Sequence, residues 1–203
     1  MRFAVIGRGH LAVTAFDVLR KLGTVVKVVT NRVEPLWDAR LRAHVGRLYP
    51  QVDLDTSGDW RQLLGTDADL VLSVMYDRII GRELIDQTRV LNLHLGKLPE
   101  YRGMRPVNWA LKNGESVAGV TLHEVDEGID TGPIIAQTTF SIFPDVDEVK
   151  DVYGRSVRAA ENILRDYLPI VDLLKATPQD ESRAHYYSAA DIARLGERTD
   201  WTR

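Results

Sequence analysis

A chain of 203 residues is long enough for one domain with a substantial core, and 44% hydrophobic with 27% charged residues is ordinary for a globular protein. A formal charge of −3 without any run of Lys and Arg argues against a general nucleic-acid surface, and the absence of cysteine removes disulfides, thiolate zinc sites and cysteine nucleophiles together. No apolar stretch is long enough to span a bilayer, and Met1 leads straight into a short strand and a glycine loop, so a cytoplasmic protein with no membrane partner is expected.

Phe3 to Ile6 is an apolar run broken by Gly7 and Gly9. A helical pattern follows, with Leu11, Phe16, Leu19 and Leu22 on one broad face and Gly23 as the stop. Val25 to Val29 is β-branched and reads as a second buried strand, so the opening predicts a parallel sheet with a right-handed crossover. Pro35 to Tyr49 reads as a helix, followed by a polar stretch through Ser57-Gly58 and a short helix at Trp60 to Leu64. Asp69 to Met75 is the next strand, Arg82 to Asp86 a helical turn, and Val90 to Leu93 a further strand.

From Pro106 the pattern changes. Pro106 to Lys112 suits a short helix with proline in its first turn, where the missing donor costs little. Gly119 to Val125 and Ile134 to Phe140 are β-rich runs joined by an acidic, glycine-containing loop, which predicts an antiparallel pair. Asp145 and Asp147 stand where a long helix should begin, and Val149, Val152, Val157, Ala160, Ile163, Leu164 and Tyr167 mark its buried face up to Pro169. The tail from Thr177 to Arg203 is polar, with one amphipathic segment at Ala189 to Leu195. The fold class is therefore α/β: a Rossmann-like, open, mostly parallel sheet with helices on both faces, plus an antiparallel strand pair and a C-terminal helix. Residues 1–142 form the expected core, and residues 143–203 a helix and tail packed on that core or at a dimer interface.

Two motifs carry chemistry. The first, Gly7-Arg8-Gly9-His10-Leu11-Ala12, fits the permissive dinucleotide fingerprint between a strand and a helix. Strand two, however, ends in Thr30-Asn31-Arg32, where an NAD enzyme would place an acidic residue for the ribose. Arg32 could meet a 2′-phosphate, which keeps an NADP-dependent oxidoreductase as an alternative. More generally, Gly7 to His10 can cradle a phosphate or substrate at a helix N-terminus, or simply make a tight turn. The second motif is split. Asn92 and His94, two apart on a strand, face one cleft beyond its carboxyl end, and the downstream HEVDEGIDTG brings His123 and Asp130 on a hairpin. Gly128 and Gly132 permit the sharp turns that aim Asp130 at a neighbouring strand. No twelve-residue calcium loop and no histidine or cysteine partner for a zinc site accompanies them, so no metal is expected.

The ordered set Asn92, His94, Leu98-Pro99, Gly103, Thr121-x-His123 and Asp130-x-Gly132-x-Ile134 resembles the folate-dependent formyltransferase family, well over Leu70 to Phe140 and more loosely over the opening strand, loop and helix. That family includes methionyl-tRNA formyltransferases, glycinamide ribonucleotide transformylases and sugar N-formyltransferases. The resemblance implies transfer of the formyl group of N10-formyltetrahydrofolate, the co-substrate, to a primary amine. Asn92, and His94 if its ring permits, would donate to the developing oxyanion, while Asp130 orients His94 and assists the proton; His94 as base or as stabiliser stays open. It also implies that Met75, Tyr76, Arg78, Ile79 and Ile80, with Asp126 and Gly128 closing over them, hold the pterin. The family usually has Pro-Ser after the histidine, where this chain has Leu95-Gly96.

Arg102-Gly103, Pro106, Asn108-Trp109-Ala110 and Tyr186-Tyr187-Ser188 are similar to the sugar enzymes. That likeness implies a nucleotide-linked amino sugar contacted by Gly7, Arg8, Gly9, His10, Arg102, Arg105 and Trp109, and a homodimer. Only some sixty residues follow Phe140, so no separate tRNA-binding domain is expected. An amino acid, a hydroxyornithine-type precursor or glycinamide ribonucleotide is the alternative amine.

Overall fold

The computed structural model describes residues 1–33 and 40–196. In chain order these form β1 (Arg2–Gly7), α1 (Gly9–Leu22), β2 (Thr24–Thr30), α2 (Arg40–Leu48), β3 (Asp53–Asp55), a 3₁₀ turn at Trp60–Leu63, β4 (Leu70–Val74), α3 (Arg82–Ile85), β5 (Arg89–His94), β6 (Arg102–Gly103), α4 (Pro106–Lys112), β7 (Val117–Glu124), β8 (Ile134–Ser141) and α5 (Val149–Asp166). Short 3₁₀ segments and β9 (Tyr186–Tyr187) complete the chain. Seven strands make one sheet in the order β3-β2-β1-β4-β5-β7-β8. The pairs from β3 to β5 are parallel, and β7 enters antiparallel to β5 with β8 antiparallel beyond it.

The strand alternation sorts the core into two layers. On β1, Phe3 and Val5 face a cluster with Phe16 and Leu19 of α1, Leu41 and Val45 of α2, and Ala160, Ile163 and Leu164 of α5. Ala4 and Ile6 face the opposite layer, with Trp60, Leu63, Ile80 and Leu84. Each fully buried Leu or Ile contributes about 1.5–3 kcal/mol relative to exposure, and α5 adds Ile163 and Leu164 to the main core. A third cluster joins α4, the start of α5 and the aromatic rings of Tyr101, Trp109 and Tyr187.

The expected elements differ in a few places. Residues 34–39 and 197–203 lie outside the described residues, so α2 is seen only from Arg40 and the tail only to Gly196. The polar stretch before Ser57 contains the edge strand β3, whose three residues pair with β2; its Asp-Leu-Asp composition hides it from propensity. Leu22 is 39% exposed rather than on the buried face of α1. Glu148, not Asp145 or Asp147, caps α5 in a reciprocal arrangement with Asp151, while Asp147 is buried and paired with Arg155 at 2.6 Å.

The polar tail also holds structure that its composition concealed. Ile134 and Thr177 exchange two backbone bonds of 2.8 Å, and β9 pairs in parallel with β6 through Arg102↔Tyr186 and Gly103↔Tyr187. The segment from Thr177 to Tyr187 is thus a strap across the loop that follows β5.

Candidate active site

The winding of the sheet reverses at β1, with β2 on one side and β4 on the other, so a crevice opens at their carboxyl ends. Its floor requires glycine. Gly7 has φ of 140°, and a Cβ there would stand 1.8 Å from the Val74 carbonyl oxygen, which accepts the Arg8 N–H at 3.1 Å. Close approach of two backbones thus explains Gly7 without any ligand. The same turn leaves a cleft of about 270 Å³ lined by Arg8, Gly9, His10, Arg40, Met75 and Tyr153. Arg8 and Arg40 sit beside the N-terminus of α1, which has no acidic residue in its first turn, so the cleft suits an anion. His10 pairs with Glu161 of α5 at 2.5 Å on its rim.

One strand over, the β5–β7 register places Asn92 opposite His123. Asp130 comes from the β7–β8 connection with φ of 55°, a left-handed conformation that is costly for a non-glycine residue. Its carboxylate stands among four groups. Oδ1 accepts from the Asn92 amide at 3.3 Å and lies 3.4 Å from His123 Nε2; Oδ2 accepts the Gly103 N–H at 2.9 Å and lies 3.4 Å from His94 Nδ1. Burial favours the protonated acid, but the His94 and His123 rings and the Gly103 N–H outweigh it and hold the carboxyl well below the usual carboxylate range.

The ring orientations follow from their other partners. His94 Nε2 donates to the Tyr101 carbonyl at 2.7 Å, which leaves Nδ1 facing Asp130. His123 Nδ1 donates to the Glu124 carbonyl at 2.7 Å, which turns Nε2 towards the Asn92 amide at 3.2 Å and Asp130 Oδ1 at 3.4 Å. Asp130 can only accept, which fixes which end of the Asn92 amide faces it. Both bonds from Asn92 exceed the usual 2.9–3.0 Å, so its hydrogens can be redirected to a new acceptor. His94 is 8% exposed with both nitrogens engaged; it therefore stands behind Asp130 as an orienting partner rather than as a donor pointing into the cleft.

Leu95-Gly96 has a physical consequence here. A Cβ at Gly96 would lie 2.5 Å from His94 Nε2 and 2.7 Å from the Pro106 Cβ, so the ring rests directly on the glycine. The loop is then pinned through Thr121, which donates to the Gly96 carbonyl at 2.8 Å and accepts from Leu98 N at 3.3 Å and Gln137 at 2.9 Å. Leu98-Pro99 is cis.

On the other side of the carboxylate, Met75 leaves β4 with φ of 56°, and Tyr76 donates to the Gly58 carbonyl at 2.9 Å. Arg78 is exposed and Ile79 is 67% exposed, whereas Ile80 is core, so of the two isoleucines only Ile79 can meet a ligand. Asp126 accepts from Gly128 N and Thr131, which shapes the turn leading to Asp130, and an Arg82–Glu127 pair at 2.8 Å ties that turn to α3. Among the residues expected to contact substrate, Trp109 is only 1% exposed and stacks on Tyr187 at 4.5 Å, so it is core rather than cleft. Arg102 is 6% exposed and is held by Gln179 and Glu181. Arg105, with φ of 55°, precedes α4. His123 and Gly103, members of the ordered set to which no role was attached, both face the Asp130 carboxylate, whereas Gln179, which reaches the same turn, carried no signal in the sequence.

No helix among the described residues is long and apolar enough to cross a membrane. The family pattern described as formyl transferase matches residues 1–168. A methionyl-tRNA formyltransferase of Sorangium cellulosum is 31% identical over 100% of this chain and 69% of its own length. One from Listeria monocytogenes is 32% identical over 77% of this chain and 50% of its own, so the alignment spans about half of that relative. Among solved structures, an N-formyltransferase of Helicobacter canadensis, in complex with folinic acid and dTDP-3-aminofucose, superposes with a TM-score of 0.79 at 23% identity, covering 93% of this chain and 71% of that one.

Proposed function

The chain belongs to the formyl transferase family, and from that premise we propose that it moves a formyl group from N10-formyltetrahydrofolate to the amino group of a nucleotide-linked amino sugar. The observation that carries this reading is the Asp130 carboxylate, held ionised between Asn92, His94, His123 and the Gly103 N–H. An oxidoreductase reading has no such use for these groups, and family membership replaces it.

The residues present suit a reduced folate: Ile79 stands out apolar and exposed beside buried Ile80, next to the tied turn of Asp126 to Asp130, as a flat ring would require. When bound, the folate supplies an activated formyl carbon and, at N10, a leaving nitrogen that ends protonated. The Asn92 amide then turns a hydrogen towards the formyl oxygen as negative charge develops there. Asp130 is placed to pass the proton that the amine loses on to the departing N10, directly or through one water, so that the carboxylate ends ionised as it began, with His94 Nδ1 beside it. No covalent bond to the protein is needed.

Arg8, Arg40 and the start of α1 support an anionic substrate end such as a nucleotide diphosphate, in keeping with the dTDP-sugar in the Helicobacter canadensis structure. A second reading, the amine of an aminoacyl-tRNA, is favoured by the names of the sequence relatives. Purified protein with N10-formyltetrahydrofolate and a panel of dTDP- and UDP-linked amino sugars, methionyl-tRNA, glycinamide ribonucleotide and free amino acids separates them. Release of tetrahydrofolate with a formylated sugar by mass supports the proposal. Turnover on methionyl-tRNA or another amine alone removes the sugar, and no turnover on any of them removes the reaction.

A further inference from the structure

We propose that Gln179, on the C-terminal strap, is a positioning residue that sets the catalytic carboxylate of Asp130 through the backbone of its turn. This rests on the formyl-transfer reading above. Gln179 lies beyond the residues matched by the family pattern, yet its amide reaches the centre of the site. Nε2 donates to the Asp130 carbonyl at 2.9 Å and to the Gly132 carbonyl at 2.7 Å, gripping the turn on both sides of Thr131. Oε1 accepts from Arg102 Nε at 3.0 Å and Nη2 at 2.8 Å. Carbonyls only accept and a guanidinium only donates, so the amide has one admissible orientation and all four bonds are satisfied at once.

The turn needs such a hold. Asp130 has φ of 55° without being glycine, a conformation that persists only where its surroundings over-determine it. Gly132 leaves no slack, since a Cβ there would stand 1.9 Å from the Glu124 carbonyl oxygen. Glu181 pairs with the same Arg102 at 2.6 Å, and the strap fixes the carboxylate's strongest donor as well. Arg102 N donates to the His185 carbonyl at 3.0 Å and Met104 N to the Tyr187 carbonyl at 2.8 Å, which places Gly103 between two strap bonds. One side chain and one short β pairing therefore determine both ends of the Gly103–Asp130 bond.

The test compares wild type with Gln179→Met, which keeps the volume and loses all four bonds, and Gln179→Glu, which keeps an acceptor for Arg102 and loses only the two donors to the turn. Ser182→Ala is the control, because among the described residues Ser182 bonds to Asp180 on the exposed side of the strap and not to the turn. Both Gln179 variants are expected to lower kcat at least roughly tenfold with KM for folate and amine within about twofold, because small displacements of a reacting group are costly. The acid limb of the kcat–pH profile should move to higher pH, since a loosened turn takes the carboxylate away from the Gly103 N–H and the imidazoles that favour its charged form. A purely structural role would lower the active fraction and leave that limb where it is. Wild-type turnover tests the formyl-transfer reading and the variant-to-wild-type ratio tests Gln179. Where wild type shows no turnover, the ¹³C carboxyl titration of Asp130 in wild type and Gln179→Met decides the role of Gln179 by itself, because the neutral methionine adds no charge beside the carboxylate. An upward shift of its midpoint supports the proposal. A kcat within twofold of wild type, an unmoved acid limb or an unmoved carboxyl titration overturns it.

Discussion

Asp130→Asn changes one atom and removes one charge from a carboxylate that has four close contacts. The new amide must place its NH₂ at one of two positions. At Oδ1 it meets the Asn92 amide hydrogens; at Oδ2 it meets the Gly103 N–H, which now approaches an oxygen at 2.9 Å. One donor is left facing a donor in either case, and an unsatisfied buried group costs about 1–3 kcal/mol. The rate should suffer more than the fold. The variant cannot take a proton from the amine or hold charge against His94, and loss of a positioned acid–base group typically lowers turnover by about 10²–10⁴. Acid stability gives a second readout. The folded Asp130 carboxyl lies below its unfolded value, so its contribution is present above the unfolded pKa of about 3.9 and is lost as the pH falls through the folded value. Asp130→Asn should therefore flatten the loss of stability on acidification below that point. The assays are tetrahydrofolate release against pH and thermal melts over the same range. A variant within threefold of wild-type kcat, or one whose acid-side melts parallel wild type, would refute the placement of Asp130 at the centre of the chemistry.

Asn92→Ala should lower kcat about 10²–10³-fold with little change in folate KM, as expected for an oxyanion donor; single-turnover rates check it. Gly96→Ser should push the His94 ring off the Tyr101 carbonyl and destabilise the fold by about 1–3 kcal/mol, measured by urea unfolding, because the new Cβ has no room between the ring and Pro106. Arg8→Ala should raise KM for a nucleotide-linked substrate with kcat retained, and the effect should shrink at high salt; a salt titration of KM decides.

Most of the sheet was legible in the chain, because it rests on local rules. The β-branched runs at Val25 to Val29 and Asp69 to Met75, the helix face from Leu11 to Leu19 and the Pro106 start of α4 each carry their own pattern. The hairpin of β7 and β8 was legible for the same reason. β3 was not, since a three-residue edge strand of Asp-Leu-Asp is defined by its neighbour β2 and not by its own propensity. Trp109, readable from the sequence as a cleft contact or as core, is core, because an aromatic residue near a site reads alike whether it lines the cleft or, as here, stacks on Tyr187.

The same division holds at the site. Asn92, His94 and Asp130 do come together, a meeting that the resemblance of their ordered set implied and that spacing alone left open. What tertiary structure alone decided was orientation. The Tyr101 and Glu124 carbonyls select the ring nitrogens, Gly96 yields the space for His94, and the strap brings Gln179 and the β6–β9 pairing from far along the chain to hold the Asp130 turn. Those are contacts between backbone groups and a polar tail with no periodicity, and hydrogen bonds of that kind exist only once packing has brought their partners together.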